Sequence, residues 1–360
     1  MNFRHLSHVF LTLLAALLAS QLCIWLSTPI PWMLGPLLVT AVASVLGAPT
    51  RSAIPLRNAG QWVIGAALGL YFTPQVGALV LSLWWAIALT VVWALGLGAL
   101  FGGWLHRQHA ADFAHLPPGA GRATSYFASA IGGASEMTLL AERHGARTDW
   151  VAASHSVRLV IVVLSVPFAM QWVQSHWGLS VDDRLLPGSG VVDWPGLLWL
   201  TVATAGGAWV MTWFKRSNPW FMGALLVSMG LTLSGVDGLM LPTALSNAAQ
   251  LVIGVSLGVR FQREFVHAGP RWLFSVALGT VGMLLLSAGF GQCLAWATGL
   301  QAATLILGTA PGGIAEMAIT AKVLQLGVPV VTAFQVCRLV AVLMLVGPMF
   351  QWLGRRKKAA

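Results

Sequence analysis

Gly132-Gly133-Ala134-Ser135-Glu136-Met137 returns 180 residues later as Gly312-Gly313-Ile314-Ala315-Glu316-Met317. Each copy is followed, 22 residues after its glutamate, by an arginine that opens Arg158-Leu159-Val160 or Arg338-Leu339-Val340. Upstream, Pro31-Trp32-Met33-Leu34-Gly35 returns as Pro219-Trp220-Phe221-Met222-Gly223, at an offset of 188. Asn58-Ala59-Gly60-Gln61-Trp62-Val63-Ile64-Gly65 returns as Asn247-Ala248-Ala249-Gln250-Leu251-Val252-Ile253-Gly254, offset by 189. Chance matches do not keep order and register along a whole chain, so the sequence reads as a duplication. Repeat 1 covers residues 1–178 and repeat 2 covers 196–360. An acidic external linker, 179–195, joins them and holds Asp182, Asp183 and Asp193.

The composition says where such repeats live. Of 360 residues, 57% are hydrophobic and 8% charged, against about 25% charged in a soluble domain. Thirty charged residues cannot coat a chain of this length. The apolar runs His8–Leu26, Val76–Leu105, Val151–Val173, Leu197–Phe214, Leu273–Leu294 and Val330–Leu353 approach or exceed the roughly 20 residues that cross a bilayer. The fold class is therefore an all-α polytopic membrane protein. A soluble enzyme, a secreted domain and a β-barrel are excluded. The net charge of +10 is scattered between apolar runs, the pattern of cytoplasmic loops and not of a nucleic-acid surface. Cys23, Cys293 and Cys337 all lie inside apolar runs and offer neither a disulfide framework nor a metal motif. The N-terminal run, basic at Arg4, continues through Cys23-Ile24-Trp25-Leu26; this is longer than a signal-peptide core, and we read it as an uncleaved first helix.

The basic residues choose the topology. Six apolar elements per half, all crossing, would leave 10 Lys/Arg inside and 8 outside, which is no bias. If the Gly-Gly element of each half instead enters and leaves on one side, the inside receives 16. They are Arg4, Arg51, Arg57, Arg107, Arg122, Arg143, Arg147, Lys215, Arg216, Arg260, Arg263, Arg271, Arg355, Arg356, Lys357 and Lys358. Only Arg184 and Lys322 fall outside, with Arg158 and Arg338 at membrane depth. The sequence thus predicts about ten transmembrane helices in two inverted five-helix repeats, each with one broken or re-entrant Gly-Gly element, and both termini cytoplasmic. Inverted repeats with interrupted elements in corresponding places describe secondary transporters, with the site at the midplane.

The paired Gly-Gly-x-x-Glu-Met motifs with their arginines, and the Pro-Trp-x-x-Gly and Asn-Ala-x-Gln-x-Val-Ile-Gly blocks, resemble the AbrB-type membrane family with a duplicated domain. The resemblance spans nearly the whole chain and both copies. Members of that family carry two inherited labels, ammonia monooxygenase and membrane regulator of gene expression. In architecture the family is similar to the cation/proton antiporter and anion-transporter group. Its name is shared with a small soluble DNA-binding regulator, to which nothing here is similar.

The residues test both labels. Monooxygenase chemistry needs clustered His and carboxylate ligands for copper or iron. Of nine histidines only His106, His109 and His115 sit together, beside Arg107 in a predicted cytoplasmic loop, where solvated interfacial residues are the common case. No enzyme, cofactor or metal is expected. A DNA reader needs a recognition element outside the membrane. The longest basic run, Arg355-Arg356-Lys357-Lys358, fits an anchor at the anionic inner leaflet, so direct nucleic-acid binding is not expected. Beyond the lipid bilayer the expected partner is a small solute or ion; self-association is left open.

The candidate binding residues are Gly132, Gly133, Ser135, Glu136 and Arg158, with Gly312, Gly313, Glu316 and Arg338, joined by Gln61 and Gln250. Ionisable side chains at membrane depth are functional hypotheses by default. A buried glutamate can hold a proton, and an arginine can grip a carboxylate or phosphate. A structural alternative stands beside this: two Glu–Arg ion pairs that lock each broken element to the helix that follows. The glycines and small neighbours allow close backbone approach, and Pro311 adds a break absent from the first copy. Gln61 and Gln250 line the site or bond between helices, and Trp32 and Trp220 suit the interfacial belt. The sequence favours an inner-membrane secondary transporter, proton- or ion-coupled. The alternative is a membrane-embedded regulator that senses a ligand without net transport.

The charge count has a direct test. In a cysteine-free background, single cysteines beside Arg147 and Arg263 should resist an external impermeant thiol reagent, while one beside Asp183 should react. External labelling at the first two positions would restore twelve spans and parallel repeats.

Overall fold

The computed structural model describes residues 3–114, 116–177, 193–214, 218–236, 239–261 and 269–359. Most of the linker (178–192, with Asp182, Asp183 and Arg184) lies outside them, as do His115, Lys215, Arg216, Arg263 and His267. So do the side chains of Arg4, Arg355, Arg356, Lys357 and Lys358.

The regular elements among the described residues are helical. They are α1 Phe3–Trp25, α2 Pro31–Val45, α3 Ile54–Gly69, α4 Pro74–Ser82, α5 Trp84–Gln108, α6 Ala120–Ser129, α7 Ala134–Arg143 and α8 Thr148–Trp177, then α9 Trp194–Trp213, α10 Pro219–Leu233, α11 Thr243–Gly258, α12 Pro270–Thr298, α13 Ala302–Thr309, α14 Ile314–Val323 and α15 Val328–Ala359. Among the described residues, five helices are long and apolar enough to cross a bilayer, or six if α3 and α4, bent by 89°, count as one. Helices α2, α10 and α11 are apolar but have only 15, 15 and 16 residues. At 1.5 Å per residue they reach about 23 Å, short of a hydrocarbon core of about 30 Å.

One expected run is corrected. Val76–Leu105 is not one helix: α4 ends at Ser82 and α5 starts at Trp84, with Leu83 between them at φ −89° and ψ 10°. Pro74 opens α4, where a missing N–H does no harm. No glycine or proline marks the second break, so hydropathy ran straight through it.

The chain divides into two compact units, and each draws on both sequence halves. The first comprises Met1–Ser82, Val166–Arg263 and Ala318–Pro329; the second comprises Leu83–Ser165, Glu264–Met317 and Val330–Ala360.

Glycine builds the first unit. A Cβ on Gly65 would stand 2.3 Å from the carbonyl oxygen of Phe221, and one on Gly69 would stand 2.7 Å from that of Leu225. The same approach recurs with the halves exchanged: Gly254 meets Met33 O at 2.6 Å and Gly258 meets Leu37 O at 2.7 Å. Thus α3 lies on α10 and α11 lies on α2, each through a Gly-x-x-x-Gly face. Between helices in lipid there is little hydrophobic drive, so close backbone packing of this kind does the holding. Gly35 and Gly223 of the Pro-Trp-x-x-Gly blocks let α2 cross α1 at Ala19 and α10 cross α9 at Gly207.

The second unit holds both helix breaks, with α14 counted in it only as far as Met317. Helix α6 ends at Ser129, the chain runs extended through Ala130 and Gly133, and α7 begins at Ala134. Helix α7 then folds back along α6: the His144 ring lies 5.2 Å from that of Phe127, and the Arg147 N–H donates to Thr124 Oγ1 at 2.9 Å. The first Gly-Gly element is a helical hairpin. Helices α13 and α14 repeat the interruption, with Ala310 extended at φ −56° and ψ 140°. Against these elements α5 packs through Gly98 and Gly102, and α12 through Gly291.

These crossings give a stability prediction. Gly69→Ala and Gly258→Ala should each cost about 1–3 kcal/mol by overpacking, read as a lower melting temperature in detergent. Gly230→Ala, in α10 with open space around its Cβ position, should melt no lower than the parent.

Candidate functional site

A helix leaves its last four carbonyls without intrahelical partners, and α6 and α13 both end inside a buried core. The last long helix of each half supplies the donors. Arg158, on α8, donates from Nη1 to Ser129 O at 3.1 Å and from Nη2 to Ala130 O at 2.9 Å. Arg338, on α15, donates from Nη1 to Ala310 O and from Nη2 to Gly312 O at 2.8 Å. Both arginines are buried, at 5% and 3% exposure. A cation belongs at a helix C-terminus, where the macrodipole presents partial negative charge.

The hydrogen bonds of the two guanidiniums run to main-chain carbonyls and to two neutral side chains. Glu136 stands third in α7, after the N-cap Gly133. Its Oε2 lies 2.0 Å from where a Gly133 Cβ would be, and Glu316 relates to Gly313 by the same 2.0 Å. A carboxylate that reaches back from this position has the placement of half a capping box. Each break therefore carries an arginine on its outgoing carbonyls and a glutamate folded back beside the glycine that precedes its incoming helix.

This geometry also explains the glycines. None of Gly132, Gly133, Gly312 and Gly313 has positive φ, so backbone freedom is not what they supply. They supply room: the Gly133 and Gly313 positions are filled by the glutamates, and Gly132 and Gly312 by the methyl ends of Met137 and Met317 at 2.8 and 2.9 Å. Gly-Gly-x-x-Glu-Met thus encodes one packed helix start. The burial differs between copies: Ser135 is exposed and Glu136 half-buried, whereas Glu316 is 7% exposed.

Within the second unit each break packs against the arginine-bearing helix of the other half. Val162, one turn beyond Arg158, places a methyl 2.9 Å from the Gly312 Cβ position. Val342, one turn beyond Arg338, lines a cavity of about 10 Å³ with Ala130 and Ile131 of the other break. Tyr126 donates from its hydroxyl to Val346 O at 3.0 Å. Nine of the eleven expected site residues belong to this unit. Gln61 and Gln250 belong to the first: Gln61 Nε2 bonds Asn218 Oδ1 at 3.4 Å, and Gln250 is buried in α11.

A family model described as "Transition state regulatory protein AbrB" matches residues 32–354. The chain belongs to the AbrB family. Two relatives cover this AbrB-family chain almost end to end. The Bacillus subtilis (strain 168) protein "Uncharacterized protein YhjN" is 27% identical over 349 residues, 90% of this chain and 87% of that one. The Escherichia coli (strain K12) protein "Putative regulator AbrB" is 24% identical over 323 residues, 89% and 88% of the two chains.

Two further residues of the AbrB-family site escaped the sequence reading. His155 and Gln335 stand three residues before the arginines and 180 apart. Arg158 Nη2 bonds His155 Nδ1, and since arginine only donates, Nδ1 accepts and the ring proton sits on Nε2. That Nε2–H donates to Phe127 O at 3.0 Å. Gln335 does the same work with an amide: Oε1 accepts from Arg338 at 2.6 Å, and Nε2 donates to Leu307 O at 2.7 Å and Ala310 O at 3.2 Å. The shared offset was the available signal; unlike residue types at the two positions hid it.

The loop histidines also differ from expectation. His109 is 4% exposed, its Nδ1 2.7 Å from Asp112 Oδ2 and its Nε2 3.0 Å from Ser275 Oγ, with its ring edge-on to Trp272. A solvated interfacial residue would not be enclosed in this way; His109 ties its loop to α12.

Equivalence of His155 and Gln335 is testable by exchange. His155→Gln should fold with near-parental stability, whereas His155→Ala and Gln335→Ala should lose about 1–3 kcal/mol by stranding buried polar groups. Alanine variants as thermostable as His155→Gln would remove the positioning role.

Proposed function

We propose that this chain is a secondary transporter of the inner membrane, carrying a small solute by proton or ion coupling through the converged breaks. In this reading the duplicated halves form inverted five-helix repeats, about ten crossings in all, with both termini cytoplasmic and the two hairpins entering from opposite faces. One observation carries it: two helix breaks, each with its carbonyls capped by a buried arginine, lie in one unit, each against the arginine-bearing helix of the other half. Non-helical backbone at membrane depth is tolerated where protein or water lines it, which is where transporters keep their sites. Four cooperating charges are more than mere packing requires.

Glu316 is the coupling carboxylate of this proposal, because it is the more buried of the pair and follows Pro311. Protonation would release it from the amides of α14 and loosen the cap. No cofactor, metal or direct nucleic-acid contact enters the reading; His109, from the histidine trio, already has both ring nitrogens engaged. The family description and the name of the Escherichia coli relative favour a second reading, a membrane-embedded regulator that senses a ligand with this site and moves nothing.

Flux decides between them. Purified protein in proteoliposomes should accumulate a solute when a proton or sodium gradient is imposed, and Glu316→Gln should abolish the pH dependence of uptake while leaving the melting temperature near parental. Gly313→Val, which displaces the same carboxylate, should reproduce that loss. Ligand binding without uptake under any gradient would leave the sensor as the answer.

A further inference from the structure

The duplication gave the chain two breaks of one design, and their surroundings have diverged. Each arginine is followed four residues on by a valine, Val162 or Val342. Val162 puts a methyl 2.9 Å from the Gly312 Cβ position, so the second break is packed from that side. Val342 instead lines the cavity of about 10 Å³ beside Ala130 and Ile131. The facing helices account for the difference. Ser129 Oγ donates to Gly98 O of α5 at 2.8 Å, and Thr309 Oγ1 donates to Ser287 O of α12 at 3.2 Å, so Gly98 and Ser287 hold equivalent places. One turn earlier stand Ala94 and Met283, both buried. Where the second half has a methionine and a serine, the first has an alanine and a glycine, and both of these line the cavity. Atoms around a void lack partners on one side and lose those contacts.

The backbone differs in the same direction. The Gly312 N–H donates to Ala310 O at 2.8 Å around Pro311, whose ring fixes φ. Ile131 stands in the proline's place, and among the described residues the Gly132 N–H makes no corresponding bond. The helices that follow diverge further. In α14, Ala318, Ile319, Thr320 and Ala321 are all 0% exposed. Its end is tied by Lys322 Nζ to Ser246 Oγ of α11 at 3.1 Å, and Gln174 of α8 donates to Leu324 O at 3.3 Å. Helix α7 has an open face, with Ser135, Leu139, Glu142 and Arg143 exposed. Its far end is held to its own hairpin by His144 and Arg147. Between them Gly145 sits at φ 65°, which glycine adopts without strain. The equivalent residue of the second half, Gln325, takes φ 53° against the preference of its Cβ.

Local opening begins where buried apolar contacts are few and backbone is exposed, and each of these differences puts that place in the first half. We infer that the tip of the first hairpin, Ile131 to Leu140, is a gate that pivots about Gly145, with the void beside Ala94 and Gly98 as the slack that lets its backbone shift. The second break is its stiff counterpart. Calling the motion a gate rests on the transporter reading, or on the sensor that shares its site; the motion itself rests on neither. Glu316 keeps its coupling role, on the side that stays put.

The test is amide hydrogen exchange of the purified full chain in detergent, read by mass spectrometry on peptides covering 131–140 and 311–320. The first stretch should exchange faster by about tenfold or more. Gly98→Ala fills the void with little strain, because its Cβ would stand 3.4 Å from Ala130 Cα, an ordinary contact. It should melt no lower than the parent and slow exchange of 131–140 by about tenfold, leaving 311–320 unchanged. Gly96→Ala, on the same helix with open space around its Cβ position, makes the same change in helix propensity and should alter neither stretch. Ala94→Val fills the cavity from the neighbouring turn and should slow the same stretch, so the test stands even if Gly98→Ala does not fold. Equal exchange of the two stretches in the parent, no slowing by either filling variant, or equal slowing by Gly96→Ala would overturn the inference. Equal exchange in a chain that does accumulate solute in proteoliposomes would remove the gate and leave the transporter. A fast first tip, slowed by Gly98→Ala, in a chain that moves nothing would do the reverse.

Discussion

Unsatisfied backbone is the constraint on which this structure turns. Stopping a helix inside an apolar core strands several carbonyls on one side of the gap and several amides on the other, and each stranded group would cost more than an ordinary packing contact returns. The chain meets this with charge. Arg158 and Arg338 close the carbonyl ends, and Glu136 and Glu316 fold over the amide ends. Those four side chains are what the two breaks share; at the second break Pro311 also pushes Ala310 out of the helical region. The helices around them can then be understood as support: α8 and α15 exist at the depth they do because an arginine must reach a carbonyl there.

Support of a different kind holds the remainder. The first unit needs no charge at its crossings; it relies on glycine, and the pairs that meet are Gly65 with Phe221 and Gly254 with Met33. A backbone turn shared by both halves sets up these crossings. Ile30 and Asn218, immediately before the two Pro-Trp blocks, both adopt left-handed φ, 44° and 47°. Asparagine tolerates that conformation, whereas a β-branched residue does so only when its surroundings insist. Ile30 is fully buried, and burial is what insists.

Much of this was written in the sequence, and the failures are instructive. Repetition located both breaks, both glutamates and both arginines, because a recurring phrase marks what geometry must preserve. Repetition could not say what each group touches. Every residue has a carbonyl, so an arginine that binds carbonyls leaves no partner residue for a sequence to show. His155 and Gln335 share a task that their names conceal: each offers one acceptor and one donor at similar reach. The division into two units was invisible for another reason. Hydropathy reports which residues leave water, and in lipid almost all of them do; what separates one packed body from another is small-residue spacing, which average composition blurs. The gap at Leu83 has no local signal at all.

The exchanged glycine crossings set a clock on biosynthesis. The Gly65 and Gly69 face of α3 has its partner in α10, which begins at Pro219, 150 residues beyond the end of α3. At synthesis rates of about 5–20 residues per second, that face waits on the order of ten seconds after it leaves the ribosome before its other side exists. For that interval α3 is an apolar helix with a bare groove, and whatever shields it belongs to the insertion machinery or to lipid, not to the folded protein.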